Sequence, residues 1–249
     1  MRRVIYKLVI LKMSLFHFKE FVIDQENCPM KINTDGVLLG AMANVDNAKR
    51  ILDIGTGTGV IALMLAQRNC TAKIDALDVD HVAYEKSDLN FSNSLFHERL
   101  KAHHHSFKDY FDLHPTYKFD LIVSNPPFFL NSLQSPKSSK NLSKHTSEFF
   151  FIDLLSLCSK HLADDGLLEL VVPVDISLML QNLAVDYSIY PIQCIKIKSY
   201  EDKATIRHII SFSKRHVEEI AFKDFFIYQE QGVHSIQYKS VLKDFFKIF

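Results

Sequence analysis

Three short motifs in the 249-residue chain contain residue types that could bind a ligand or position a reacting group. The first is a glycine loop with the sequence Asp53-Ile-Gly55-Thr-Gly57-Thr-Gly59. Its third glycine stands one place too early for the dinucleotide pattern GxGxxG, and the loop lacks the Lys-Ser/Thr pair of a triphosphate-binding P-loop. The loop instead predicts a tight turn whose backbone approaches another ligand closely. Asp53 could hydrogen-bond to the loop amides or receive a ligand ammonium group.

The second motif is an acidic residue, Asp78, with Val79 beside it, at the end of the next apolar segment. An acidic residue at this distance after a glycine loop typically accepts hydrogen bonds from ribose hydroxyls. A ribose and an amino-acid ammonium group together describe S-adenosylmethionine. The two motifs therefore predict a site for this cofactor, and a tight turn with a helix-capping Asp53 is the structural alternative.

The third motif is Asn125-Pro126-Pro127-Phe128. Because prolines donate no hydrogen bond, the Asn125 side chain and the Pro126 carbonyl could present two acceptors at a fixed point. Two acceptors suit a planar NH2 group, whose nitrogen is a poor nucleophile because its lone pair is delocalised. Accepting both protons favours a pyramidal nitrogen whose lone pair faces a sulfonium methyl group. Phe128 would stack on the flat group that carries the nitrogen.

Alternating strands and helices would bring these motifs together, since they predict a doubly wound, mostly parallel α/β sheet. The predicted strands are Arg50–Ile54, Lys73–Val79, Lys118–Ser124 and Leu167–Pro173, with a closing antiparallel pair at Cys194–Lys198 and Thr205–Ser213. The predicted helices are Val60–Gln67, Val82–Leu95, Phe149–Leu162 and Gln237–Phe249, with a flexible loop at Ser132–Lys144 and a turn at Asp164–Gly166. Ligands bind at the carboxyl ends of such strands, so the three motifs should share one cleft.

The first part of the chain differs in pattern from the rest. Residues 14–33 alternate aromatic and polar positions, which predicts a hairpin, and Asn33 or Thr34 could cap a helix that reaches Met42. We expect residues 1–45 to form an N-terminal extension and residues 46–249 to form one globular domain. The start superficially resembles a signal peptide, but Lys7 and Lys12 interrupt its apolar run. Met13 could be the native start, with residues 1–12 an upstream extension.

The composition excludes several classes of protein. Hydrophobic residues make up 47% of the chain, enough for a real core, so a disordered chain is excluded. No uncharged apolar run approaches the roughly 20 residues of a membrane span, and we expect a cytoplasmic protein. The four cysteines form no CxxC pair, and His103–His105 have no partners at ligand spacing, so we predict no metal site.

The charge balance is even, with 29 Lys and Arg against 29 Asp and Glu. Zero net charge argues against a protein that holds nucleic acid by charge over its whole surface, but it is compatible with a local basic patch. The candidates for contact with RNA phosphate, which could equally be solvated loop residues, are Lys137, Lys140, Lys144, His145 and Arg207. We expect the chain to be a monomer.

The motifs resemble those of class I S-adenosylmethionine-dependent methyltransferases that methylate amino groups through NPPY or NPPF. The segments Phe16–Phe21 and Cys28–Gly40 further resemble the opening of the bacterial tRNA1(Val) adenine-37 N6-methyltransferases, which has a phenylalanine-rich hairpin followed by Met-Lys and Thr-Asp-Gly-x-Leu-Leu-Gly. The tail from Gln237 is also similar, so the resemblance runs from about Ser14 to the end. It implies a Rossmann-like sheet of seven strands and methyl transfer to adenosine N6 beside the anticodon of a tRNA.

The resemblance also implies roles for individual residues. The glycine loop with Asp53 would bind the methionine part of the cofactor, Asp78 its ribose, and Asn125 to Phe128 would face the target base. Lys31 and Thr34 could cover the cofactor or cap a helix. Many relatives carry an acidic residue after the third strand to hold the cofactor adenine. This chain has Ser106-Phe107 there, with Asp109 as an alternative.

Three other functions fit part of this pattern. A protein glutamine N5-methyltransferase also presents an amide NH2 to such a motif, although no separate N-terminal helical substrate domain is evident. A guanine N2-methyltransferase acting on ribosomal RNA is compatible with NPPF as well. A cofactor-binding subunit that scaffolds a partner is the non-enzymatic alternative, and the intact Asp78 and Asn125 argue against it.

Overall fold

A computed structural model of the chain describes residues 14–126 and 138–249, with backbone alone for 138–147. Its strands are β1 (Leu15–His17), β2 (Val22–Asp24), β3 (Arg50–Ile54), β4 (Lys73–Asp78), β5 (Leu100–His104), β6 (Phe119–Ser124), β7 (Leu162–Val172), β8 (Tyr190–Lys198), β9 (Thr205–Ser213), β10 (Ala221–Phe226), β11 (Tyr228–Glu230) and β12 (Val233–His234). Its α-helices are α1 (Thr34–Met42), α2 (Val60–Arg68), α3 (His81–Ser92), α4 (Phe107–Leu113), α5 (Ser138–His161), α6 (Val174–Leu183) and α7 (Ile236–Leu242).

Eight strands form the central sheet, in the order β10-β8-β9-β7-β6-β3-β4-β5. Strands β3 to β7 run parallel, β9 lies antiparallel to β7 and β8, and β10 adds parallel to β8. This confirms the doubly wound, mostly parallel sheet and the closing antiparallel pair. The expected number of seven strands is wrong, because Ala221–Phe226 adds an edge strand. Its sequence, Ala-Phe-Lys-Asp-Phe-Phe, does not alternate apolar and polar residues, so no strand pattern revealed it.

Two apolar layers cover the two faces of the sheet. Successive strand residues point to opposite faces, so Ile51 packs with the layer that contains α1 and α2, whereas Leu52 packs with the layer that contains α4 and α5. Both side chains are fully buried. Burial on both faces explains why adjacent residues such as Ile51 and Leu52 are both apolar, instead of alternating with polar ones.

The N-terminal hairpin and helix occur as predicted. Strands β1 and β2 pair antiparallel, and the rings of Phe18 and Phe21 stack at 4.4 Å between centroids. Asn33 caps α1, because its side chain accepts a hydrogen bond from the Gly36 amide. Leu38 and Leu39 are fully buried in the layer that also contains α2. The proposed boundary at residue 45 stays a prediction.

Several predicted boundaries differ from the structure, and three of these differences have a clear physical reason. Residues 138–144 belong to α5 rather than to a loop, since serine and lysine lower helix propensity only slightly and Pro136 is the nearest strong breaker. The predicted turn Asp164–Gly166 lies within β7, as a bulge between the pairs Phe119–Leu162 and Leu121–Leu167.

The third boundary is the end of α7, which falls at Leu242 rather than at Phe249. Tertiary contacts use the carbonyl groups that follow the helix. The Lys19 amide donates to the Phe245 carbonyl at 2.8 Å, and the Lys19 ammonium group donates to the Lys243 carbonyl. The hairpin therefore holds the tail in a non-helical path.

Candidate active site

A cleft of about 480 Å³ opens at the carboxyl ends of β3, β4 and β6. Ligand sites in doubly wound sheets occupy this position, and the volume lies within the range of about 300–1,000 Å³ typical of them. Its walls come from the three predicted motifs and from neighbouring loops: Pro29, Met30, Ile54, Gly55, Gly57, Leu77, Asp78, Val79, Asp80, Ala83, His105, Ser106, Phe107, Lys108, Ser124, Asn125, Pro126 and Phe150. The expected convergence of the motifs on one cleft is thus observed for the described residues.

The glycine loop contributes its backbone to the cleft wall. A Cβ atom added at Gly55 or Gly57 would meet no other atom within 4 Å, so the backbone there is open to a ligand. Gly59 has a different reason to be glycine. Its φ is +82°, and an added Cβ would lie 2.5 Å from the Phe91 ring. Gly59 is the N-cap of α2, packs against that ring and does not line the cleft. Its predicted contact with the cofactor stays a prediction.

Asp78 holds the loop in shape while it faces the cleft. Its Oδ2 atom accepts a hydrogen bond from the Gly57 amide at 2.9 Å, and its Oδ1 atom accepts one from the Asp80 amide at 2.9 Å. Each carboxylate oxygen has a second lone pair, so two further hydroxyl donors could bind. Val79, 70% exposed, forms the adjoining apolar wall.

Asp53 lies beneath the loop rather than in the cleft wall. It is fully buried, and its Oδ2 atom accepts a hydrogen bond from the Thr56 hydroxyl at 2.7 Å. The Gly55 and Thr56 amides donate to the Leu77 carbonyl, each at 2.9 Å, rather than to Asp53. Burial raises the Asp53 pKa to about 7. The ammonium contact of Asp53 stays a prediction.

The far end of the cleft is apolar. Phe107 and Phe150 both line it, and their rings meet edge to face at 5.6 Å between centroids. Ser106 lines the cleft and caps α4, because its Oγ atom accepts from the Asp109 amide at 3.1 Å and donates to the Asp109 carboxylate at 2.7 Å. Asp109 does not line the cleft. The geometry therefore favours Ser106 and Phe107 over Asp109 as the wall for an adenine ring.

Asn125 follows directly after β6 and lines the cleft with Pro126. The strand end is fixed because the Ser124 hydroxyl donates to the Ile54 carbonyl at 2.7 Å. The Asn125 Nδ2 atom lies 3.4 Å from the Asn33 Oδ1 atom at the start of α1. Pro127 and Phe128 lie outside the described residues, so their predicted contact with the target stays a prediction.

A small adjoining pocket of about 30 Å³ shares Gly55, Gly57 and Asn125 with the cleft. Lys31 lines it, as does Asn33, whereas Thr34 is the exposed first residue of α1 and lines neither space. The position of Thr34 therefore gives no support to its predicted cofactor contact. Sequence patterns identified Asn33 only as a possible helix cap, Met30 only as part of the family resemblance and His105 only as a rejected metal ligand. None of the three was predicted to line a cofactor cleft.

Of the residues predicted to contact RNA, Arg207 is the one whose side chain lies within the described part of the chain. Lys137 lies outside the described residues, and Lys140, Lys144 and His145 belong to the first half of α5, where only the backbone is described. The Arg207 Nε atom donates to the Asp35 carboxylate at 2.8 Å. Arg207 therefore joins β9 to the first turn of α1, and its contact with RNA stays a prediction.

Clusters of metal ligands and membrane-spanning helices are both absent from the described residues. No group of three or more His, Cys, Asp or Glu side chains within them could hold a metal ion. The adjacent histidines have different partners, since His103 pairs with Asp75 at 2.8 Å and His104 contacts the Val79 carbonyl at 3.1 Å. Within the same ranges, every helix is too short or too polar to span a bilayer.

Comparison with known proteins decides the family. Residues 33–175 match the family described as "Methyltransferase small domain". A tRNA1(Val) (adenine(37)-N6)-methyltransferase of Pedobacter heparinus is 42% identical over 95% of this chain and 99% of its own length. The corresponding protein of Dyadobacter fermentans is 35% identical over 94% of this chain and 98% of its own length. The chain belongs to the tRNA1(Val) (adenine(37)-N6)-methyltransferase family. The resemblance drawn from the glycine loop, the hairpin and the NPPF motif is thereby confirmed.

Solved structures of other methyltransferases share the fold of this family member. A predicted O-methyltransferase from Agrobacterium tumefaciens superposes with a TM-score of 0.61, at 16% identity, over 85% of this chain and 96% of its own. At this identity the likeness concerns the fold alone. It supports the Rossmann-like architecture, a mostly parallel sheet with helices on both faces.

Proposed function

We propose that this methyltransferase uses S-adenosylmethionine to methylate N6 of adenosine 37 in the anticodon loop of tRNA(Val), and that it works as a cytoplasmic monomer. The observation that carries the proposal is the position of Asn125. It stands between the cofactor-type cleft and the start of α1, in a chain similar over nearly its full length to relatives named for that reaction.

The cleft fits the proposed cofactor. The free lone pairs of Asp78 match two ribose hydroxyls, the open backbone of Gly55 and Gly57 matches a methionine chain, and Phe107 provides an apolar wall for adenine. When bound, S-adenosylmethionine supplies an electrophilic methyl group. The protein residues then have to orient the acceptor nitrogen and to exclude water from it.

Asn125 and Pro126 would orient that nitrogen. The Asn125 Oδ1 atom and the Pro126 carbonyl are acceptors, so they would bind the two protons of an exocyclic NH2 group and turn its lone pair toward the methyl group. Hydrogen bonds to acceptors strengthen as positive charge develops on the nitrogen, which favours the transition state over the ground state. The target base would have to leave the stack of the anticodon loop to reach this point.

The proposal is tested by incubating the purified protein with methyl-labelled S-adenosylmethionine and bulk tRNA, followed by mass spectrometry of the nucleosides. We expect label in N6-methyladenosine and in a fragment that contains the anticodon loop. Parallel reactions with ribosomal RNA and with cell protein separate the alternatives. Label mainly in N2-methylguanosine or in glutamine would overturn the proposal, and so would cofactor binding without any transfer.

A further inference from the structure

Asn33 is the residue at the start of α1 that touches the active-site amide. Its Oδ1 atom accepts a hydrogen bond from the Gly36 amide at 2.8 Å and so caps the helix. Backbone amides are always donors, so this contact identifies the capping atom as the oxygen of the Asn33 side chain. The orientation of the Asn33 amide group is therefore fixed by the helix.

The same oxygen fixes the orientation of a second amide group. Asn33 Oδ1 lies 3.4 Å from Asn125 Nδ2. Asn33 Oδ1 can only accept hydrogen bonds, so the group of Asn125 that faces it has to be a donor. That group is the Asn125 NH2. Asn125 lines the cleft as well as the small pocket beside α1. Its Oδ1 atom is thereby left for the cleft, where an acceptor for an amine is required.

The start of α1 is held firmly enough to act as a reference point. The Asp35 carboxylate accepts from Arg207 Nε at 2.8 Å, which joins the first turn to β9. Further along the helix, a Cβ added at Gly40 would lie 3.0 Å from the Met64 side chain, so α1 and α2 pack closely. At Gly36 an added Cβ would lie 3.4 Å from Asn125 Nδ2, so the amide rests directly on this turn.

From this arrangement we infer that Asn33 is a positioning residue that orients the Asn125 amide, with its oxygen toward the target amine. The inference rests on the proposed reaction at Asn125. Without Asn33, the Asn125 amide can rotate and present its NH2 group to the NH2 group of the substrate. Two donors then face each other, and the fraction of enzyme that is ready to react falls. Helix α1 would thus help to orient a catalytic side chain as well as packing in the core.

Two substitutions at one position separate orientation from capping. Asn33→Ser keeps a cap for α1, but its shorter side chain cannot reach Asn125. Asn33→Asp keeps the cap and offers an oxygen to Asn125. Ser235→Ala is the control, because it removes the cap of α7, and Ser235 lines neither the cleft nor the small pocket. Single-turnover methyl transfer is measured at saturating cofactor and tRNA, together with the melting temperature and cofactor affinity of each variant.

We expect Asn33→Ser to melt near the wild-type temperature, to bind the cofactor normally and to transfer methyl groups roughly 5- to 20-fold more slowly. Asn33→Asp should recover most of that rate, and Ser235→Ala should lose stability but not rate. Wild-type transfer by Asn33→Ser, or equal losses in the Ser and Asp variants, would overturn the inference. The rate of every variant is measured on the nucleoside that the wild-type protein labels. If the proposed target is wrong, the wild-type reaction alone reveals it, and the comparison of the variants still tests the role of Asn33.

Discussion

At the scale of single residues, Asn125 carries the sharpest prediction. Replacing it with alanine removes the acceptor that would orient the amine, whereas the glycine loop and Asp78 remain in place. We expect Asn125→Ala to slow methyl transfer at least about 100-fold, with cofactor affinity changed by less than about 3-fold. Single-turnover rates and calorimetric titration of cofactor measure the two effects. Asn182→Ala, on the exposed side of α6, is the control. Full activity in Asn125→Ala would refute the role of the motif.

Replacing Asp78 should weaken cofactor binding rather than slow methyl transfer. Asp78→Asn replaces one acceptor by a donor, next to backbone amides of Gly57 and Asp80 that already donate to this side chain. Two ribose hydroxyls would also lose a charged acceptor. We expect cofactor affinity to fall roughly 10- to 100-fold, with transfer largely restored at saturating cofactor. Asp88→Asn makes the same charge change on the exposed side of α3. Equal affinities of the two variants would contradict the assignment.

At the scale of elements, the junction between the glycine loop and α2 depends on close packing. Gly59→Ala adds a Cβ 2.5 Å from the Phe91 ring at a φ of +82°. Gly232→Ala is a matched control, since its φ is +77° and nothing lies within 4 Å of the added atom. Left-handed strain alone costs about 1–2 kcal/mol, and overpacking adds about 1–3 kcal/mol. Urea unfolding should therefore show a larger loss for Gly59→Ala. Equal losses would mean that the Phe91 contact is easily relieved.

The elements that could be predicted are those marked by a pattern within their own sequence, such as an apolar segment followed by a motif. Strands β3, β4 and β6 are short segments rich in apolar residues that end in recognisable motifs, so their position and the shared cleft followed from sequence. Strand β10 was missed because its apolar residues do not alternate with polar ones and its pairing with β8 is non-local. The contact of Asn33 with Asn125 was missed for the same reason, since 92 residues separate the partners and only the fold brings them together.

At the scale of the whole molecule, buried acids predict how stability depends on pH. Glu169 is buried between Ser211 and the Asn44 amide, and burial raises its pKa from 4.5 to about 7. Between these two values the unfolded chain has lost the proton and the folded chain retains it. The contribution of Glu169 to the free energy of unfolding is therefore fully present below about pH 4.5, and it is lost as the pH rises through about 7.

Glu169→Gln should remove that dependence. We expect the free energy of unfolding of the wild type to fall by about 3 kcal/mol more than that of Glu169→Gln between about pH 4.5 and pH 8. Urea unfolding across this range measures the difference, and Glu201→Gln, at an exposed site, should behave as the wild type does. Parallel pH profiles for all three proteins would contradict the assignment.

Zero net charge makes a prediction about tRNA binding at the same scale. Several described lysines are already neutralised by acids, as in the pairs Lys198–Asp224 and Lys203–Asp202. We therefore expect a small number of unpaired positive side chains to attract the RNA phosphates. Lys137, Lys140 and Lys144 are the candidates. Three phosphate contacts correspond to a slope of about −2 in a plot of log affinity against log salt concentration.

Replacing Lys137, Lys140 and Lys144 by alanine should flatten that slope by about 2 and weaken binding at low salt. The matched control is the alanine triple at Lys239, Lys243 and Lys247, which makes the same charge change on exposed positions near the C-terminus. Titrations of labelled tRNA from about 50 to 200 mM salt measure both. If both triples flatten the slope equally, general charge rather than one basic stretch attracts the RNA, and selectivity must then rest on the cleft with Asn125.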